Sequence, residues 1–133
     1  MLKKKGMRES WDIWLFLLGM VPLTWMLLAK CRYGFANMDE SFYLTIPYRL
    51  CQGDVLLLNE WHLSQLAGWI LRLPMAVFLR INGSTEGICL WFRYLYVAAH
   101  LGVSLLLFFC LRKKSGVGAA AAVLVYYVYA PFG

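Results

Sequence analysis

Charge is scarce in this sequence. Only 15% of its 133 residues are charged, and only seven are acidic. A soluble domain carries charge on about a quarter of its residues and is about half apolar. Here 62% of residues are apolar, which excludes an ordinary soluble domain and points to a membrane protein. The four cysteines, at 31, 51, 89 and 110, form no CxxC pair and no metal-binding spacing. There is no internal repeat and no low-complexity tract beyond the alanines at 119–122, and the length limits the chain to one domain. Positive charge is not spread along the chain. The net charge of +6 comes mostly from Lys3-Lys4-Lys5 with Arg8, and from Arg112-Lys113-Lys114. Both clusters adjoin apolar segments, so they mark topology and contact anionic lipid; no nucleic-acid partner is expected.

What is present fits a bilayer. Six Trp, eight Tyr and eight Phe suit interfacial aromatic belts. Residues 13–29 are uncharged and span about 26 Å as a helix, just enough for a hydrocarbon core of about 30 Å with Trp11 and Trp14 at one interface. The run exceeds the apolar core of a signal peptide, about 7–15 residues, so it is expected to stay as an anchor. Lys30 before Cys31 excludes a lipoprotein acceptor, which needs a small residue there. Residues 38–52 read as a short amphipathic helix with Tyr43, Ile46, Pro47 and Leu50 on its apolar face. Asn37 or Asp39 would cap its start, Pro47 would kink it, and Gly53 stands where it stops. A disulfide between Cys31 and Cys51 is not favoured, because both flank a helix rather than close an obvious loop.

Residues 66–81 are apolar but carry Arg72, Pro74 and Arg80, so they are expected to lie at the interface rather than cross. Asn82-Gly83-Ser84 is a turn, with Ser84 as the expected cap of the following helix. The expected fold class is therefore an all-α polytopic membrane protein over residues 1–133, with about three transmembrane helices. These cover about 11–29, 88–111 and 115–133, the last apparently truncated. The loop of residues 30–87 would carry interfacial helices on the extracytoplasmic side. The N-terminus and both basic clusters would be cytoplasmic, because only that parity satisfies the Lys/Arg bias.

Five of the seven acids (Asp39, Glu40, Asp54, Glu60 and Glu86) fall between the first two spans. Asp39-Glu40 reads either as an acidic cap, favoured at a helix N-terminus by about 0.3–1 kcal/mol, or as a general base facing a hydroxyl. Asp54 after Gly53 suits a turn as well as a ligand. Glu60 and His62 could share one face of an extended segment, but no third metal ligand has matching spacing. Gln65 suits a sugar or phosphate, or an ordinary interface. Arg93 sits in the first turns of a membrane helix, where a cation is costly. It either snorkels to the interface or meets a lipid phosphate. His100, deeper in the same segment, reads as a hydrogen-bonded packing residue.

An ordered set of motifs runs through these residues. Asp39-Glu40-Ser41-Phe42-Tyr43 comes first, then Arg49-Leu50 and Gly53-Asp54. Glu60-Trp61-His62, Gly83-Ser84-Thr85-Glu86 and Arg93-Tyr94-Leu95 follow, then a basic turn at Arg112-Lys113-Lys114 with Gly116. The set resembles the opening of the large polytopic glycosyltransferases of the GT-C fold, which include the protein O-mannosyltransferases and the lipid A aminoarabinose transferase. Where members often carry Lys-Pro-Pro after the loop acid, this chain has Trp61-His62-Leu63. It looks closer to the uncharacterised bacterial members. The resemblance covers nearly the whole chain but only the N-terminal part of such an enzyme. The expected form is thus a fragment, a truncated product or one half of a split enzyme, in a bacterial plasma membrane.

That resemblance implies inverting transfer of a sugar from a polyprenyl-phosphate donor to an extracytoplasmic hydroxyl. Asp39 would be the catalytic base. Glu40 and Glu60 would orient acceptor, donor or a divalent cation. Asp54, His62 and Gln65 would contribute to substrate binding, and Arg93 would bind the lipid phosphate. The rival expectation is a small non-enzymatic membrane protein that binds lipid or a membrane partner, its acids only solvating the loop.

Overall fold

The computed structural model describes residues 3–33, 39–59, 61 and 63–129. Among them the chain is all-α, with helices α1 (Lys3–Lys30), α2 (Asp39–Gln52), α3 (Gln65–Asn82), α4 (Ile88–Arg112) and α5 (Gly116–Tyr129). Two are long and apolar enough to cross a membrane, over Trp11–Lys30 within α1 and over Ile88–Arg112. They suggest a membrane protein. α3, interrupted by Arg72, Pro74 and Arg80, is not one of the two. α5 is apolar but has 14 residues, about 21 Å of helix. Residues 130–133 of the expected third span lie outside the described residues.

The chain divides into two units, Met1–Arg32 with Arg93–Gly133, and Tyr33–Phe92. In the first, α1 and α4 run antiparallel, and each step forward along α1 is matched by a step back along α4. Asp12 meets Arg112, Phe16 stacks on Phe108 with ring centroids 4.0 Å apart, and Cys31 meets Arg93. α5 runs parallel to α1. Gly116 lies against Asp12, Gly19 against Leu124, and Thr24 shares a hydrogen bond of 2.9 Å with the Tyr127 hydroxyl. Small residues explain the close approach: Gly116, Ala119 and Ala120 recur on one face of α5, as at interfaces between membrane helices. The buried core joins Phe16, Met20 and Leu27 of α1 to Val97 and Phe108 of α4 and to Val123 and Tyr127 of α5.

His100 is a packing residue, as expected. Its ring stacks on Tyr127 at 4.8 Å, and Nε2 lies 3.3 Å from the Tyr127 carbonyl oxygen. Pro131, four residues after Tyr127, has no N–H to offer that carbonyl, and His100 supplies a donor.

In the second unit, α2 packs on α3, and Leu44, Met75 and Phe92 form the core. The apolar face of α2 is rotated from the expected one. Tyr43 is exposed and Leu44 is buried instead, because Leu44 is the residue that meets Met75 and Phe92. Ile46, Pro47 and Leu50 are buried as expected, and the helix continues through Pro47 to Gln52. The expected cap Asn37 lies outside the described residues. α3 ends on Gly83, whose φ of +66° lets its N–H reach the Leu79 carbonyl at 2.9 Å. Ser84 does not cap α4. Its hydroxyl accepts from the Glu86 N–H at 3.4 Å, and Gly87, with φ of +78°, stands directly before Ile88. The positive φ at Gly87 breaks the helical path that a cap at Ser84 would need.

No disulfide joins Cys31 and Cys51. Burial pushes the Cys51 thiol up, against the opposing charge of Arg72, and its Sγ donates to the Arg72 carbonyl at 3.6 Å.

Gly68 marks the tightest approach of α3 to α2. A Cβ there would collide with Ile46 Cγ2 and come within 3.1 Å of Ile46 Cβ. Alanine normally improves on glycine inside a helix by about 1 kcal/mol. Here overpacking, about 1–3 kcal/mol, opposes that gain. Gly68→Ala is therefore expected to lower the thermal midpoint of the purified chain in detergent. In an Ile46→Ala background the same change should become neutral or stabilising, and an unaltered sign would contradict the close contact.

Candidate functional site

α2 is 14 residues long, so its ends are separated by about 20 Å. Its first residues are Asp39 and Glu40, and Asp54 follows its last turn. Asp39-Glu40 and Asp54 therefore sit at opposite ends of one helix and cannot meet at one reacting centre. The Asp39 side chain lies outside the described residues, as do Glu60 and His62. Glu40 is half-exposed in the first turn of α2. There the unpaired N–H groups and the helix dipole favour the ionised form of an acid. Just beyond it, Ser41, Leu44, Thr45 and Tyr48 of α2 form a shallow groove with Thr85, Ile88 and Cys89, of about 140 Å³. Four of its residues carry hydroxyls, but its surface is mostly apolar. The Thr45 hydroxyl donates to the Ser41 carbonyl at 2.9 Å, and the Tyr48 hydroxyl accepts from Gln52 at 2.8 Å.

Asp54 has a structural task. Arg49 Nε donates to its carboxylate at 2.6 Å, and Arg49 Nη2 reaches the Asn59 carbonyl at 3.4 Å. The Asn59 side chain accepts from the Val55 N–H at 3.0 Å. Together these bonds fasten the loop after α2, where Leu57 holds an uncommon φ of +66°. Gln65 is half-buried in the first turn of α3. Trp61 is exposed between Glu60 and His62. Among the described residues no three His, Cys, Asp or Glu side chains are grouped to hold a metal ion.

Arg93 belongs to the other unit. Its Nη1 donates to the Cys31 carbonyl at 2.8 Å, just past the end of α1. Carbonyls at a helix C-terminus lack intrahelical donors and attract cations, so Arg93 closes α1 electrostatically. Its neighbour Tyr94 accepts from Arg32 Nε at 3.2 Å.

Sequence reasoning missed the pair at the opposite ends of these helices. Asp12 is buried, and Arg112 grips it with a fork: Nε to Oδ2 at 2.7 Å and Nη2 to Oδ1 at 3.3 Å. The Asp12 carboxylate also lies where a Cβ on Gly116 would stand, so glycine is needed there for α5 to begin. One signal was legible: Asp12 is an acid standing directly before an otherwise uncharged apolar run.

No protein-family model, no curated protein and no solved structure matches this chain.

Removing one partner of a buried pair leaves the other charge uncompensated, which costs more than replacing both. Asp12→Asn and Arg112→Gln are each expected to lower the thermal midpoint by several degrees. The double variant should lose clearly less than the two losses combined. Additive losses in a double-mutant cycle would mean that the fork contributes no coupling.

Proposed function

We propose that the chain is the N-terminal membrane segment of a GT-C-like glycosyltransferase that moves a sugar from a polyprenyl-phosphate donor to an extracytoplasmic hydroxyl. The observation that carries the reading is the acidic pair Asp39-Glu40 at the head of α2, nine residues after Lys30 ends a helix able to cross a bilayer. The donor's tail stays in lipid while its phosphate stays at headgroup level. Base and electrophile must therefore converge at the membrane face. In this reading Asp39 takes the acceptor's proton, and Glu40 and Glu60 orient the reactants or a divalent cation. The shallow groove along α2 receives part of the acceptor, and Arg93 meets the lipid phosphate from the end of α1. His62 and Gln65 contribute to binding. Asp54 acts indirectly, by holding its loop against Arg49. The chain alone is expected to show no turnover.

The proposed topology has spans at about 11–29, 88–111 and 115–133 of a bacterial plasma membrane, with the N-terminus cytoplasmic. The antiparallel run of α1 and α4 supports it, since two crossing helices in that arrangement leave residues 30–87 on one side. The rival reading, a small non-enzymatic membrane protein, draws support from Arg93 and Asp54, because each already has a structural partner.

Two measurements test the proposal. An engineered cysteine near Gly53 should react with an impermeant maleimide from outside intact cells, and one near Lys113 should not; the reverse pattern would end the topology. In a full-length enzyme carrying this segment, Asp39→Asn should cut transfer by about 10²–10⁴-fold, the usual loss for a general base. Donor binding should persist, because asparagine still caps a helix. Near-normal turnover would leave Asp39 as a cap alone.

A further inference from the structure

α3 is apolar on two faces. One face is spent: Gly68, Met75 and Phe78 are buried, with Gly68 against Ile46 and Pro47 of α2. The other carries Leu66, Trp69, Ile70, Leu73, Val77 and Ile81, all exposed. At 3.6 residues per turn these six form one stripe along the whole helix. Arg72 and Arg80, both exposed, stand on the same side of the stripe, about 12 Å apart along the axis, and the Arg72 side chain also reaches the Cys51 thiol. α3 contains no acidic residue. The Phe78 ring lies 5.8 Å from that of Trp91, in the first turn of α4. An apolar stripe with a cationic edge, held beside the start of a span, has the form of a helix lying in the interface.

We infer that the exposed face of α3 is a docking surface for the outer leaflet, with Arg72 and Arg80 binding the headgroups of anionic phospholipid. The inference rests on the proposed placement of residues 30–87 at the outer membrane surface. The six apolar side chains enter the acyl boundary, and Trp69 sits at headgroup depth, where tryptophan is favoured. The two guanidiniums take phosphate oxygens, and each favours an anionic lipid over a zwitterionic one by about fivefold. Charge complementarity selects lipid over a protein partner, since the apolar stripe is continuous and its only charges lie along one edge.

The test uses the full chain in nanodiscs, with Cys31, Cys51, Cys89 and Cys110 replaced by alanine and a bimane attached at Val77→Cys. Phosphatidylglycerol or phosphatidylcholine, each carrying a headgroup nitroxide, serves as local quencher at equal mole fraction. The expected result is stronger quenching by phosphatidylglycerol. That preference should fall about fivefold for Arg72→Gln or Arg80→Gln. It should survive Arg72→Lys/Arg80→Lys. Strong but equal quenching by both lipids would overturn the headgroup site while leaving the membrane placement standing. Absence of quenching by either lipid would mean that water, a second copy or another protein meets this face. It would overturn the inference and the interfacial placement together, and leave the Asp39 assignment to its own test.

Discussion

The antiparallel pairing of α1 and α4, closed at each end by an arginine, is the constraint on which the first unit depends. In hydrocarbon, helices gain little from burying apolar surface against one another, so packing and satisfied polar groups must hold them. Placing an arginine in a membrane helix costs about 2.5–3.5 kcal/mol at the centre. Both arginines at the ends of α4 avoid isolation by reaching across to α1. Arg112 forks onto the Asp12 carboxylate, and Arg93 reaches the Cys31 carbonyl at the end of the helix. Between them the Phe16–Phe108 stack sets the spacing of the two helices. α5 is then seated through small residues, and a carboxylate fills the place a side chain at Gly116 would occupy.

That constraint has a consequence for chemistry. The segment between α1 and α4 starts and ends at one end of the pair. On the proposed topology that end is extracytoplasmic, so the acids of the loop serve a membrane face rather than a membrane interior. Within that loop, structure sorts the acids by task. Asp54 is committed to Arg49 and fastens a turn, and Glu40 stands in the first turn of α2. The same segment also presents α3, whose free face is apolar and whose charged edge is basic.

Much of the fold was legible because long uncharged runs have few alternatives. The first expected span coincides with the apolar part of α1, Trp11–Lys30, and the second, with the helices over 38–52 and 66–81, matches an observed helix to within a few residues, Gly83 ending α3 at the expected turn. Details set by tertiary contact were not legible. Whether Tyr43 or Leu44 faces inward depends on where Met75 and Phe92 arrive, and spacing along α2 does not carry that information. Asp12 and Arg112 lie a hundred residues apart, and a basic cluster beside an apolar run has a sufficient local explanation as a topology marker. Arg49 and Asp54 fall in separate motifs, and their pairing needs the chain to turn at Gly53, where φ is +110°. Of the candidate site, Glu40, Asp54, Gln65 and Arg93 lie among the described residues, and Asp54 and Arg93 hold structural partners that no motif indicated.

Distance measurement by double electron–electron resonance tests the antiparallel pairing most directly. Nitroxides at Leu15 and Phe109, both exposed, should lie close together, because Phe16 stacks on Phe108. Moving the second label to Tyr96, thirteen residues earlier on α4, should lengthen the separation by a displacement of about 20 Å along the helix. A short distance for the first pair and a long one for the second is the predicted result. Equal distances, or the reverse order, would contradict the pairing of α1 with α4 and the single-sided loop that follows from it.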